Sequence, residues 1–360
     1  MRSTLGTAGL LALFSLPPDV KALAIVGRQA GYASNAVTAA GTLQSDWYDE
    51  STGLWGGLSL WWSSANIVTM LANIVKADGS YKSTASEIVS TVFTTAKATN
   101  GGTWTNGFYD DEGWWALAWI DAYDVLGGSQ YLQAAEDIFQ DLIGGLNGNC
   151  GGQWWDKAHT AVNSINNELF AAVAASLANR VSGGSTDYRS YAVDQVEWLL
   201  SQNLRNSDGI FQDGLDIDSC SPEGSTWSYN QGVIIGALVE LTRLTGNNSY
   251  LSTATSIANS ALQHMVDSNG ILTDWADYPS SDDTAAQFKG VFVRNLAKLQ
   301  TVANDDAHVD FLTKNADFIW AHNMNPQGQL GADWQGPAKY ISAPSHSSAM
   351  DCLVAAAMVS

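Results

Sequence analysis

The segment Gly107-Phe108-Tyr109-Asp110-Asp111-Glu112-Gly113-Trp114-Trp115 concentrates residues able to do chemistry. Asp110 and Asp111 are adjacent and flanked by Tyr109, Trp114 and Trp115. Like charges held close repel, and apolar surroundings disfavour ionisation, so one carboxyl can keep its proton while its neighbour stays charged. Cleavage of a glycosidic bond needs that asymmetry: an acid for the leaving oxygen and a carboxylate for the sugar ring. A retaining mechanism places the two carboxyls ~5–5.5 Å apart and an inverting one roughly 6.5–9.5 Å. Neighbours leaning into one cleft at a helix entrance meet the shorter spacing. An Asp-Asp pair also serves as a helix cap or as a partner for the helix dipole; the aromatic flanks favour catalysis here. Glu112 reads as a first-turn acid facing away.

Helices must position these groups, because helical periodicity dominates the chain and no series of alternating strands is evident. Six segments are apolar on nearly all sides: Ser64–Lys76, Gly113–Leu126, Asn166–Val181, Asn230–Leu244, Lys289–Val302 and Ser347–Val359. Six amphipathic segments alternate with them: Ile25–Trp47, Tyr81–Ala96, Tyr131–Ile143, Tyr188–Gln202, Tyr250–Val266 and Val309–Asn323. Tyr81, Tyr131, Tyr188 and Tyr250 mark a repeat, 50, 57 and 62 residues apart, a period typical of repeat architectures. All-round apolar helices belong inside and one-faced helices outside. Six pairs closing on themselves give an all-α (α/α)6 barrel. An open solenoid would want polar capping repeats at its ends, and neither end has one. The inner helices then share a direction, so the aromatic-rich loops entering them converge on one face, the natural place for a cleft.

The run Tyr109-Asp110-Asp111-Glu112-Gly113-Trp114-Trp115-Ala116-Leu117-Ala118-Trp119 resembles the catalytic segment of glycoside hydrolase family 76, the endo-α-1,6-mannanases. Trp61-Trp62-Ser63-Ser64-Ala65-Asn66, Gly151-Gly152-Gln153-Trp154-Trp155-Asp156, Asn167-Glu168-Leu169-Phe170 and Tyr229-Asn230-Gln231-Gly232 resemble further family segments in matching order. The resemblance implies an (α/α)6 barrel and a retaining endo-hydrolase of α-mannan or manno-oligosaccharides. In it Asp110 is the nucleophile and Asp111 the acid/base. Two other outcomes share this scaffold: a cell-wall glycan transglycosylase working through the same glycosyl-aspartate intermediate, and a non-catalytic carbohydrate-binding toroid, which the intact Asp pair disfavours. A lyase or epimerase would call for His or Tyr bases and a basic cleft. Indole and phenol faces stack on sugars, so Trp61, Trp62, Tyr109, Trp114, Trp155 and Tyr229 are candidate substrate contacts. Asn66, Asn167 and Gln231 are candidate hydroxyl binders, and Asp213 is a candidate sugar ligand or turn residue.

The formal charge of −20, with only 14% charged residues, disfavours nucleic acid and anionic membranes as partners and fits a neutral glycan. Residues 1–24 read as a secretory signal: Arg2 precedes the apolar Leu10–Leu16, and Ala22-Leu23-Ala24 is a small-x-small site. Residues 25–360 then form one catalytic domain, expected to be extracellular and monomeric. The tail Ala355–Ser360 is too short for a lipid-anchor signal. No later stretch reads as long and apolar enough to be a membrane helix. Of three cysteines, Cys150 and Cys220 lie in polar loops and are expected to pair; Cys352 sits in an apolar helix and is expected to be free. Asn247-Asn248-Ser249 is a glycosylation acceptor at Asn247. His159, His264, His308, His322 and His346 lack metal-ligand spacing, and no phosphate or dinucleotide loop occurs. No cofactor or metal is expected.

Overall fold

The computed structural model describes residues 18–275, 277 and 279–360. Most of the expected signal lies outside the described residues; the first helix begins at Pro18 and runs through the expected cleavage site. Among the described residues twelve α-helices follow one another: α1 (Pro18–Trp47), α2 (Trp61–Ala77), α3 (Lys82–Thr95), α4 (Tyr109–Leu126), α5 (Ser129–Leu142), α6 (Ser164–Ala178), α7 (Tyr188–Ser201), α8 (Ser228–Thr245), α9 (Asn248–His264), α10 (Phe288–Ala303), α11 (Asp306–His322) and α12 (Ala343–Val359). The even-numbered helices are the apolar ones. Each packs on the next even-numbered helix, and α12 packs on α2, which closes the ring. The odd-numbered helices lie outside. The tyrosine repeat pins outer helices to inner ones: Tyr131 stacks on Trp119, with ring centroids 5.6 Å apart.

The inner helices approach closely because small residues face their neighbours. A Cβ on Gly232 of α8 would stand 2.7 Å from the Phe292 Cα of α10, and one on Gly290 would stand 2.7 Å from the Ser348 Cα of α12. Those contacts are backbone, so a side chain there would force the helices apart. Leu58–Ala77 has the length and hydropathy of a membrane span, contrary to the sequence reading. Yet 83% of its apolar window is buried inside the protein, the setting of an inner barrel helix.

The loops at the two ends differ. Those entering inner helices run from 13 residues (48–60) to 26 (202–227), whereas those leaving them run from two (127–128) to nine (179–187). Among the described residues the long loops hold five two-residue strands. β1 (Tyr48–Asp49) pairs with β2 (Leu54–Trp55), and β3 (Val162–Asn163), β4 (Gly214–Leu215) and β5 (Pro222–Glu223) form a small antiparallel sheet. The Cys150–Cys220 disulfide joins the same two loops as that sheet, with Cys352 free and buried.

After α7, α9 and α11 one hairpin recurs, with an Asx residue opening the turn and a glycine at positive φ closing it: Asn206/Gly209, Asp267/Gly270 and Asn325/Gly328. Gly tolerates that backbone and Asx side chains bond their own turn. The helices behind clip each hairpin by its backbone N–H: Gln231 takes that of Phe211, Asn315 that of Leu272 and His346 that of Leu330.

At the short-loop end, where inner-helix C-termini gather partial negative charge, cations collect around Glu240. Lys298 lies 2.8 Å from its carboxylate, Arg243 3.1 Å and Arg180 3.2 Å. Burial alone would raise the Glu240 pKa; Lys298 and Arg180 outweigh it and hold the group well below the usual carboxylate range.

Candidate active site

The long-loop end carries the cleft, and the catalytic candidates sit in the first turn of an inner helix rather than in the loop before it. The sequence reading started α4 at Gly113, but the helix begins at Tyr109; likewise α2 begins at Trp61, not Ser64. The apolar pattern starts a turn late because the first turn faces the cleft. Residues 107–109 pair with 155–157: the Tyr109 N–H donates to the Trp155 carbonyl (3.0 Å) and the Lys157 N–H to that of Gly107 (3.0 Å). That pairing brings the Trp155 indole over Asp110.

The two carboxylates differ in their partners. Asp110 accepts from the Trp155 indole N–H (2.8 Å) and from the Asp111 backbone N–H (3.0 Å), one of the free donors of a helix start. Asp111 accepts from the Asn106 amide (2.7 Å) through Oδ2, and no described residue donates to its Oδ1. Burial raises both pKa values, Asp110 to about 6 and Asp111 to about 7, with the Asp110 charge adding to the rise at Asp111. More donors oppose the rise at Asp110 than at Asp111, which makes Asp111 the better placed of the two to keep a proton.

A cleft of about 270 Å³ opens above the pair, walled by Trp62, Phe108, Trp114, Trp155, Tyr229 and Phe288, with Thr284. Tyr229 is stacked on Phe288 at 3.8 Å, and Phe108 leans on Trp155 at 4.9 Å. A second hollow of about 180 Å³ adjoins it. The two share Trp62, Phe108 and Asp111, and the second adds Trp61, Ser59, Thr99, Asn100 and Asn106. Asp110 lines the first only. Aromatic faces around a protonated acid and an ionised carboxylate can bind a pyranose and cleave its glycosidic bond.

Trp62, Trp114, Trp155 and Tyr229 thus gather with Asp110 and Asp111, and Trp61 borders the second hollow. The other candidates lie elsewhere. The Tyr109 ring is buried beneath the Lys157 ammonium, 5.5 Å away. Asn167 is fully buried: its oxygen accepts from the Gln153 N–H and the Gln195 amide (both 2.7 Å), and its amide donates to the Gln153 and Asn163 carbonyls. Gln231 is likewise committed to the Phe211 hairpin and the Trp227 carbonyl. Asn66 is buried inside the barrel, bonded to Arg294. Asp213 lies by Glu168 and Tyr229, its pKa raised by burial. Asn247 is exposed, capping α9 in a short turn at the opposite end.

Sequence reasoning missed Asn106, Phe108, Thr284 and Phe288. Asn106 was findable, since an Asx residue just ahead of a helix start commonly organises a turn. Phe288 carries no signal, because it begins an apolar helix like any other. Glu112 does face away from the cleft, but it is fully buried and paired with Lys157 at 2.9 Å.

Comparison with known proteins agrees with this geometry. Residues 32–359 match the model of glycosyl hydrolase family 76. Two curated relatives from Saccharomyces cerevisiae are mannan endo-1,6-alpha-mannosidases. DCW1 is 28% identical over 207 residues, 52% of this chain and 45% of that protein. DFG5 is 24% identical over 215 residues, 54% of this chain and 46% of that protein. The matches therefore span about half the length of these relatives. Among solved structures, the GH76A alpha-1,6-mannanase of Salegentibacter sp. superposes with a TM-score of 0.81 at 20% identity, over 91% of this chain and 100% of that one. An inactive variant of that mannanase, with two adjacent aspartates replaced, was solved with alpha-1,6-mannotetrose. The match over residues 32–359, on a closed ring of six helix pairs with an aspartate pair at its mouth, means that the chain belongs to glycosyl hydrolase family 76.

Proposed function

We propose that this protein is a retaining endo-glycosidase that hydrolyses internal α-1,6-mannosidic bonds of mannan. The observation that carries the reading is the unequal hydrogen bonding of Asp110 and Asp111 at one helix start. Asp110, held ionised by two donors, attacks the anomeric carbon. Asp111 gives its proton to the departing glycosidic oxygen, and a glycosyl ester forms on Asp110. Asp111, now ionised, takes a proton from water; the hydroxide attacks the same carbon and frees Asp110. Retention follows from two displacements. The substrate comes from the relatives: the yeast proteins are named for this bond, and the Salegentibacter enzyme is an alpha-1,6-mannanase. The Cys150–Cys220 disulfide supports an oxidising, extracellular setting.

The second hollow on the Asp111 side supports a transferase variant of the same chemistry, since an acceptor hydroxyl placed there could replace water. The test is a pair of substitutions. Asp110→Asn should abolish turnover of every substrate. Asp111→Asn should nearly abolish mannan cleavage yet still release a dinitrophenyl leaving group, which needs no proton. Mannan cleavage near the wild-type rate by either variant would overturn the assignment.

A further inference from the structure

We propose that Asn106 is a positioning residue for the acid/base, orienting Asp111 through one hydrogen bond while a buried brace behind it fixes Asn106 itself. The inference rests on the reading of Asp111 as acid/base. Both polar groups of the Asn106 side chain and its backbone N–H are engaged. Its amide donates to Asp111 Oδ2 (2.7 Å), its side-chain oxygen accepts the Phe108 N–H (2.8 Å), and its backbone N–H donates to Glu112 Oε1 (2.8 Å). The amide orientation is determined by these partners: reversal would set an oxygen against a carboxylate and an NH2 against an N–H. Glu112 is held in turn. It is fully buried, and Lys157 ties it (2.9 Å) to Asp141 of α5 (2.6 Å).

The bond occupies Oδ2 and leaves Oδ1 as the oxygen that carries the catalytic proton. Asn106 also lines the second hollow beside Asp111, so the proton is presented at the border between the two hollows. An amide donor favours the ionised carboxyl and opposes burial and the Asp110 charge. The bond therefore does two things: it aims Asp111, and it limits how tightly Asp111 holds its proton. The other titratable groups nearby are Asp110 and Asp156, the Glu112–Lys157–Asp141 brace, and Tyr229 across the cleft. The walls from α2 and α10, Trp62 and Phe288, carry no charge.

Two substitutions isolate the role. Asn106→Ser keeps an oxygen able to accept the Phe108 N–H but cannot reach Asp111. Asn106→Asp keeps the turn and replaces the donor with a second carboxyl. The measurement is kcat/KM against pH on α-1,6-mannotetraose, with folding followed by thermal melting. In Asn106→Ser the alkaline limb should move up by roughly one pH unit, and kcat should fall about tenfold as the aim is lost. In Asn106→Asp the limb should move further up. Limbs superimposable on wild type in both folded variants would overturn the proposal, because damage to the turn alone lowers the rate without moving the limb. Asp111→Asn assayed on a dinitrophenyl α-1,6-mannobioside separates the two failures. If the alkaline limb persists there, it does not belong to Asp111 and the functional reading falls, taking this inference with it. If the limb vanishes there but does not move in the Asn106 variants, the inference alone falls.

Discussion

Asp111→Asn should stabilise the folded protein, and only above acidic pH. Burial first, then the Asp110 charge, raise the Asp111 pKa from 3.8 to about 7. A carboxyl with a raised folded-state pKa binds its proton more tightly folded than unfolded. Stability therefore falls as pH rises from the unfolded pKa near 4 to the folded one near 7, and the penalty is constant above that. A shift of that size, at about 1.4 kcal/mol per unit, sets a ceiling of about 4 kcal/mol. Both carboxyls open partly to the cleft, and water there screens the cost, so about 1–2 kcal/mol is the expected gain. Asparagine fills the same space, has no charge to desolvate and can still accept from Asn106. Scanning calorimetry of wild type and variant at pH 4, 6 and 8 reads the effect. The melting temperatures should nearly coincide at pH 4, and the variant should lead by about 1–3 °C at pH 8. A gap that is the same at all three values, or that favours wild type at pH 8, would refute the claim that the site holds an unwilling charge.

Trp155→Phe removes a donor from Asp110, so the carboxylate loses stabilisation and its pKa rises. The acid limb of kcat/KM should move up by roughly one pH unit, the opposite limb from that moved by the Asn106 variants; an unmoved acid limb would contradict the nucleophile assignment. Glu240→Gln removes the carboxylate shared by three partly exposed cations, of which Arg180 keeps Asp124, and should cost about 1–3 kcal/mol at neutral pH. The Glu240 pKa is depressed, so its contribution is present above the unfolded value of 4.5 and is lost as pH falls below it. Chemical denaturation of the pair at pH 7 and pH 4 should show the deficit shrinking, and an equal deficit at both would rule out the ion-pair account.

The ring was legible in the sequence because two physical signals coincided. Helices such as α6, buried from Ser164 to Leu177, read as apolar on all sides, and helices such as α5 read as one-faced. The place of Asp110 and Asp111 in an aromatic cleft was legible because two acids among tryptophans have few structural reasons to exist. Asn167 and Gln231 misled because a buried amide clipping a loop and an amide awaiting a sugar hydroxyl share one sequence signature; only the Gln153 and Phe211 partners separate them. The recurring hairpins after α7, α9 and α11 were visible as Asn-x-x-Gly or Asp-x-x-Gly at 206, 267 and 325, a repeat finer than the tyrosine one. Phe288 could not be foreseen, since its role comes from ring closure, which stacks it on Tyr229 of the neighbouring inner helix.

The central claim is double displacement through Asp110 with Asp111 as acid/base. Proton NMR of unbranched α-1,6-mannan during digestion tests it most directly, by the anomeric form of the newly made reducing ends before mutarotation. The account predicts α-anomer first, with chain length falling steadily. β-Anomer first would contradict it, whatever the rate of cleavage.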